Sequence, residues 1–318
     1  MPGWGRFAGR LSTHRFSVAI LLATKNGARF LREQLDSYAY QTHRNWMLYV
    51  SDDGSSDDTL SILDNFRMRT GHPVEVRPGP KTGHAENFLS LARDATISAD
   101  YFAFSDQDDI WLKEKLERGI LKLAEYKSDA PALYCSRTLL VNENDEKILG
   151  KSPLFKRAPM FGNALVQSLG GGNTMLFNHA TKRLLEQGPA RVVAHDWWTY
   201  QLVTGAGGTA IYDPVPTVRY RQHDTNAVGS NAGWRANINR MRMLAKGRFA
   251  NWNEINISAL RSVEGLLTPE SAKQLTLFME ARHGNLFRRL AHLRHAGVYR
   301  QTLQGNIGLF VASALSKF

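Results

Sequence analysis

Four short apolar runs rich in β-branched and aromatic residues punctuate the first third of the chain: FSVAILLA from Phe16, WMLYV from Trp46, VEV from Val74 and YFAF from Tyr101. Segments with helical spacing fill the gaps. Leu31, Leu35 and Tyr38 fall on one face of ARFLREQLDSYAY, Leu60, Leu63 and Phe66 on one face of TLSILDNF, and ENFLSLARDA makes a third. Alternation of strand and helix is the mark of βαβ units, which predicts a parallel sheet covered by helices, regular as far as about Leu123.

Further on, PALYCSRTLLVN and NTMLFN read as strands and RLLEQG and WWTYQLVTG as helices. TAIYDPVPTVRYRQH reads as an extended edge segment held off the sheet by Pro214 and Pro216, since proline cannot donate to a ladder. From Gly233 the pattern turns helical through MRMLAKGRF, ALRSVEGLL, AKQLTLFMEARHGNLFRRLAHLRHAG and IGLFVASALSKF. The expected division is a basic lead over residues 1–15, an α/β body over 16–230 and a basic helical region over 231–318.

Composition narrows the class. With 318 residues, 43% hydrophobic and 22% charged, the chain can bury a sizeable core. Its single cysteine, Cys135, excludes an internal disulfide, suits a reducing cytosol and reads as a small core residue of a strand. No stretch reaches the roughly 18 to 20 apolar residues that cross a bilayer. FSVAILLA runs straight into TKNG without a small-residue cleavage pattern, so it reads as a buried first strand and not a secretion signal. From residue 231 onward there are thirteen Lys and Arg against four Glu and no Asp, a balance of +9 out of the chain's +11. A basic tail on a nearly neutral body points to an anionic partner, nucleic acid or a phospholipid surface.

Open parallel sheets place ligands beyond the carboxyl ends of their strands. The four successive corners here are Thr24-Lys25-Asn26-Gly27, SDDGSSDDT from Ser51, PGPKTGHAENF from Pro78, and SDQDD from Ser105. The ordinary reading of SDDGSSDDT is a glycine turn with Ser56 or Asp57 capping the next helix, and that of SDQDD is Asp106 as a cap with Asp108 and Asp109 in the first turn. Capping gains about 0.3 to 1 kcal/mol per acid, an amount that repulsion between close carboxylates matches, so it does not call for three acids in four positions. A divalent cation resolves the conflict: Mg²⁺ or Mn²⁺ accepts one or two carboxylates and completes its shell with waters and substrate phosphates.

VAILLATKNGARFLREQL, VSDDGSSDDT, GHAENF and FAFSDQDDIW, in this order and followed by GGGNTMLFN, HDWWTYQL and VRYRQHDTN, resemble family 2 glycosyltransferases, most closely the bacterial rhamnosyltransferase-like members. The resemblance covers roughly residues 16–226 and implies a GT-A fold, a Rossmann-like mixed sheet with helices on both faces, followed here by a C-terminal helical extension. It implies an inverting, metal-dependent transfer of a sugar, rhamnose as the first choice, from a dTDP- or UDP-sugar donor to a hydroxyl of a glycan or lipid-linked glycan. By the same resemblance Thr24, Asn26, Asp52, Asp53, Asn87 and Asp106 would hold the donor nucleotide, Asp108 and His223 would meet Mg²⁺ or Mn²⁺, and Asp196 would be the general base. Lys81 and Arg221 are candidates to face the diphosphate, with His195 a neighbour of the base. The ordinary reading of Trp197 and Trp198 is core.

By the same resemblance the basic tail is expected to meet an anionic membrane surface, with the protein in the cytoplasm at the inner face of the membrane; the ordinary reading of the tail is a solvated basic helix pair packed on the catalytic domain. Two other readings are weaker. A nucleotidyltransferase on a similar fold would carry a Gly-rich, Arg- and Lys-bearing first loop, of which TKNGARF is only a weak version. A nucleic-acid-binding protein would leave the acidic corners without a purpose, so nucleic acid is not the expected partner.

Overall fold

The computed structural model describes residues 13–189, 191–223 and 248–315. Its centre is a nine-stranded sheet. The regular part alternates as the apolar pattern predicts: β1 (Val18–Thr24), α1 (Ala28–Ala39), β2 (Trp46–Asp52), α2 (Thr59–Thr70), β3 (Val74–Pro78), α3 (His84–Arg93) and β4 (Tyr101–Ser105). β1 pairs in parallel with β2 and β4, and β2 with β3. Every residue of β1 is buried. Val18, Ile20 and Leu22 join Leu31, Leu35 and Tyr38 of α1 in one apolar cluster, while Ala19, Leu21 and Ala23 join Phe88 and Leu91 of α3 in the other. A parallel strand with helices on both faces must be apolar at successive positions, which is why FSVAILLA reads as a continuous run. In α2 the buried face is Ile62, Leu63 and Phe66; Leu60, expected inward, is exposed.

The second half completes the sheet with β5 (Ile110–Trp111), β6 (Ala132–Val141), β7 (Ile148–Lys151), β8 (Leu176–Asn178) and β9 (Thr209–Arg221). Helices α4 (Lys115–Leu123), α5 (Phe161–Ala164), α6 (His179–Glu186) and α7 (His195–Gly205) lie between them in the chain. β8 runs antiparallel to both β4 and β6, and β9 runs parallel to β6. β9 therefore points the same way as β4 and ends at the same edge of the sheet. The edge-segment expectation is corrected here: β9 lies between β6 and β5. Pro214 and Pro216 are accommodated where the β6–β9 register shifts between Ser136 and Thr138, so the strand passes its prolines without leaving the sheet.

Among the described residues four helices follow: α8 (Arg248–Ser262), α9 (Pro269–Glu280), α10 (Leu286–His295) and α11 (Leu303–Ala314). The boundary expected at 230/231 lies outside the described residues. Ile257, Leu260, Leu275, Phe278, Leu293 and Leu309 belong to the same apolar cluster as Leu21 and Phe104 of the sheet. Polar ties reinforce the contact, with Asn163 Nδ2 donating to Tyr299 O at 2.9 Å and Arg300 Nη1 to Val166 O at 2.9 Å. A Cβ on Gly162 would overlap Gly297 O, so α5 and the α10–α11 connection approach backbone to backbone. Cys135 is fully buried in β6, as its core reading requires.

Candidate active site

The corners after β1, β2 and β4 meet at one edge of the sheet and are stitched together. Asp52 is held by four donors: Thr24 Oγ1 at 2.8 Å and Ser55 Oγ at 2.5 Å reach its Oδ1, and Gly54 N at 3.1 Å and Ser55 N at 2.8 Å reach its Oδ2. Burial pushes this carboxyl upward, but the Ser55, Thr24 and Gly54 hydrogen bonds outweigh it and hold Asp52 below the ordinary carboxylate range. Its neighbour Asp53 accepts Lys81 N at 2.8 Å through Oδ1, and Oδ2 accepts from no described residue. Asn87, the fifth residue of GHAENF, donates Nδ2 to Thr24 O at 3.2 Å and leaves its buried Oδ1 without a partner. Asn26 takes a positive φ of 49° and accepts Ser56 N at 2.8 Å.

Asp57 performs the local duty expected of this corner. Its Oδ1 accepts Thr59 N at 3.1 Å at the start of α2, and its Oδ2 accepts Ala28 N at 3.0 Å at the start of α1. A carboxylate shared by two helix starts satisfies otherwise orphaned amides in both.

SDQDD behaves differently. No helix begins there: β5 follows at once and α4 starts only at Lys115, so Asp106, Asp108 and Asp109 are not capping residues. Gln107 clamps this corner to the first one, accepting Lys25 N at 2.9 Å and donating to Lys25 O at 3.1 Å. A Cβ on Gly27 would overlap Gln107 Oε1, which accounts for the glycine of TKNG. Asp109 is fully buried, accepting Asn173 Nδ2 at 2.5 Å and Arg221 N at 3.3 Å. Burial and the neighbouring Asp108 charge drive its carboxyl well above its usual range. Asp106 is raised in the same way, by burial and then by Asp109, Asp108 and Asp196.

His223, just past the end of β9, puts Nε2 2.9 Å from Asp108 Oδ2 and packs its ring 5.0 Å from that of Phe30. Arg221 does not face the open site, contrary to its expected phosphate contact. It is buried, its guanidinium bonding to Glu33 Oε2 at 2.7 Å, Asp108 O at 3.0 Å and Glu143 O, and it braces the corner from behind.

Asp196 lies in the first turn of α7, where Oδ1 accepts Trp197 N at 2.7 Å. Burial raises its carboxyl to about 6, against the lowering effect of backbone donors from Trp197, its own N–H and Gly172. His195 stacks on Phe88 at 3.9 Å between ring centroids, and neither of its ring nitrogens has a hydrogen-bond partner. Burial holds it well below the usual histidine range, so it is neutral, and it makes no hydrogen bond to Asp196. Gly172 fits only because it has no side chain; a Cβ there would overlap His195 Nε2. Trp197 and Trp198 are both buried in the core, as their ordinary reading holds.

The expected residues thus fall into two groups. Asp53, Asp106, Asp108, Asp196 and His223 stand at or beside these corners without being spent on loop turns, whereas Thr24, Asn26, Asp52 and Asn87 use most of their polar atoms to organise the loops. Sequence reading missed the Gln107 clamp and the Asn173–Asp109 bond, because both join residues far apart in the chain. Among the described residues no group of three or more His, Cys, Asp or Glu is set to hold a metal ion. A cation held by Asp108 and His223 would draw its other ligands from water and phosphate oxygens.

Residues 19–184, just over half of the chain, match the profile described as Glycosyl transferase family 2. The dTDP-rhamnosyl transferase RfbG of Shigella flexneri is 28% identical over 231 residues, covering 69% of this chain and 78% of that one. Two solved structures share the fold. S. aureus TarS 1-349 superposes with a TM-score of 0.55 at 16% identity, over 94% of this chain and 81% of its own. The mannosyltransferase PcManGT from Pyrobaculum calidifontis, in complex with GDP-Man and Mn²⁺, gives 0.53 at 18% identity, over 96% and 88%.

Proposed function

The chain belongs to glycosyl transferase family 2, a GT-A enzyme that moves a sugar from a nucleotide-sugar, and from that premise we propose an inverting rhamnosyl transfer from a dTDP-sugar with Asp196 as general base. The observation that carries the reading most is Asp196 itself. It is a carboxyl raised to about 6 and set close enough to Asp106 for its charge to be felt there. A base poised near the working pH combines the correct protonation state with driving force for proton transfer.

In this reading the acceptor hydroxyl oxygen attacks the anomeric carbon while the bond from that carbon to the diphosphate oxygen breaks on the opposite side. The hydroxyl proton passes to Asp196, and the nucleoside diphosphate leaves with the bonding electron pair. Asp53 receives the nucleoside through its remaining carboxylate oxygen, with Thr24, Asn26, Asp52 and Asn87 keeping that loop in shape. Asp106, Asp108 and His223 face the diphosphate, and Asp108 with His223 would hold Mg²⁺ or Mn²⁺. When bound, such an ion supplies charge neutralisation for the leaving diphosphate. The dTDP-rhamnose preference leans on the likeness to the Shigella flexneri enzyme.

The acceptor in this reading is a glycan or lipid-linked glycan destined for a cell-surface polysaccharide, reached at the inner face of the cytoplasmic membrane. The basic C-terminal region supports that location through attraction to anionic headgroups. Among the described residues no helix is long and apolar enough to cross a membrane, so the association would be peripheral. Incubating the purified protein with dTDP-rhamnose, UDP-glucose, UDP-GlcNAc and GDP-mannose, each with Mg²⁺ or Mn²⁺, tests the donor. Binding and slow hydrolysis of dTDP-rhamnose above the others is expected; a folded protein that binds none of them overturns the proposal.

A further inference from the structure

Apart from Gln304, Asn306 and Ser313, α11 is apolar on its inner and its outer side, yet it does not lie in a core. LQGNIGLFVASA carries no charged residue, and only Leu309, Ala312 and Ser313 are buried, on the side turned to the rest of the molecule. The opposite side leaves Leu303 77%, Ile307 55%, Phe310 49% and Val311 46% exposed. These positions recur every three to four residues, so they form one continuous outward stripe, which Ala314 extends. Contiguous exposed apolar surface of this kind marks an interaction site.

The surroundings of the stripe say what covers it. From Ala281 to the end the chain has six Lys and Arg and not one Asp or Glu. α10 packs beside α11, with Arg289 Nη2 donating to Ala314 O at 3.5 Å. On α10, Arg288 and Arg294 are exposed, and so is Phe287 at 83%. An outward apolar helix face beside a helix that carries exposed arginines has the chemistry of interfacial insertion: side chains enter the acyl boundary while cations meet anionic headgroups. A second protein copy would bring the same cations against themselves.

We propose that the outward stripe of α11, Leu303, Ile307, Phe310 and Val311, is the element that inserts into an anionic phospholipid surface, with Arg288 and Arg294 as its headgroup contacts. This rests on the membrane location argued above and is independent of the donor assignment. Because apolar insertion accompanies charge attraction, binding persists in part at ionic strengths that screen the arginines.

Sedimentation with vesicles tests it, using phosphatidylcholine alone and phosphatidylcholine with roughly one third phosphatidylglycerol. The intact protein is expected to bind the mixed vesicles well above the neutral ones, which keep only the part due to apolar insertion. Ile307→Asp with Phe310→Asp should lower that partitioning about tenfold or more, leaving the thermal transition and donor hydrolysis unchanged because both side chains point outward. Arg288→Glu with Arg294→Glu should remove the salt-sensitive part alone. If the intact protein ignores both vesicles, the membrane location fails and this inference with it. If the double aspartate variant binds like the parent, the location stands and the stripe is not its contact. If the protein is a dimer that the aspartate variant splits, and neither form binds vesicles, the stripe belongs to a second copy and the inference is wrong.

Discussion

His223 Nε2 lies 2.9 Å from Asp108 Oδ2, a contact that spans 115 positions of the chain. Sheet topology makes it. β9 reaches β4's edge by running parallel to β6, while β8 stands antiparallel to both β6 and β4, so His223 emerges where the β4 corner turns. Arg221 fixes the approach by bonding to the Asp108 carbonyl, and Asn173 and Arg221 N hold Asp109 beneath. Two potential cation ligands are thereby brought together by buried partners that have no need of the cation.

From that contact follows a metal prediction. Asp108→Asn removes the charge of the proposed ligand and should lower kcat/KM by on the order of a hundredfold or more. His223→Ala should instead raise the Mn²⁺ concentration needed for half-maximal turnover by about 10- to 100-fold, the range seen when groups supporting a metal are lost. Titrating Mn²⁺ against donor turnover separates the two. An unchanged midpoint in the His223 variant removes histidine from the metal shell.

Asp52 and Asp53 stand side by side but should respond differently to truncation. Asp52→Ala strips four donors of their acceptor and should destabilise the fold by at least about 2 kcal/mol. Asp53→Ala gives up only the bond from Lys81 N and should leave the thermal transition within a few degrees while weakening nucleotide binding about tenfold or more. Calorimetric titration with dTDP and UDP, alongside thermal melts, checks both. The reverse pattern, with Asp52 governing affinity and Asp53 stability, would exchange their assigned duties.

Gly172 is a packing test of the wall beside Asp196, the proposed base. Adding a Cβ there drives it into the ring edge of His195 at Nε2, while Phe88 is stacked on the ring's face and restricts its tilting away. Gly172→Ala should cost about 1 to 3 kcal/mol of stability and displace the start of α7, lowering kcat more than donor affinity. His195→Ala in the same chain makes room for the added methyl and should recover part of both. Failure of that second change to recover anything would mean that the strain lies in the backbone of the turn.

What the sequence disclosed, and what it hid, follows from the range of the interactions. β1, β2 and β4 were readable as buried apolar runs and β3, the half-exposed edge strand, by its place in the strand–helix alternation, while each helix shows one apolar stripe; these are all local patterns. The position of β9 was not: Pro214 and Pro216 argue for an edge, and only the bulge opposite Ser136–Thr138, a feature of two strands, lets them sit inside the sheet. Arg221 looked like a phosphate ligand because sequence gives its charge but not that Glu33, Glu143 and Asp108 surround it. The acids of SDQDD were legible as too many for capping, and the structure removes the capping account by starting α4 only at Lys115. Leu303, Ile307 and Phe310 showed their apolar character in sequence, but nothing there said which side α11 would leave uncovered.

Asp196 carries the sharpest pH prediction, since its activity and its stability should run in opposite directions. A base acts only when ionised, so with the carboxyl raised to about 6 the rate should be full above that value and fall about tenfold per unit below it. The effect on folding has the other sign. Burial raises the folded-state value above the ordinary carboxylate value of 3.8, so the contribution to stability is complete below that ordinary value and is lost as pH rises through 6. Asp196→Asn keeps the oxygen that accepts Trp197 N and removes the buried charge. It should therefore gain on the order of 1 kcal/mol of stability at neutral pH, offset in part by the lost attraction to the α7 N-terminus. Its transferase rate should drop by a factor of about 100 to 10,000, the usual worth of a general base. Rates and thermal transitions of both proteins from pH 5 to 9 are the measurement. A parent whose rate is flat across pH 6, or an Asp196→Asn protein that keeps its rate, would place the base elsewhere.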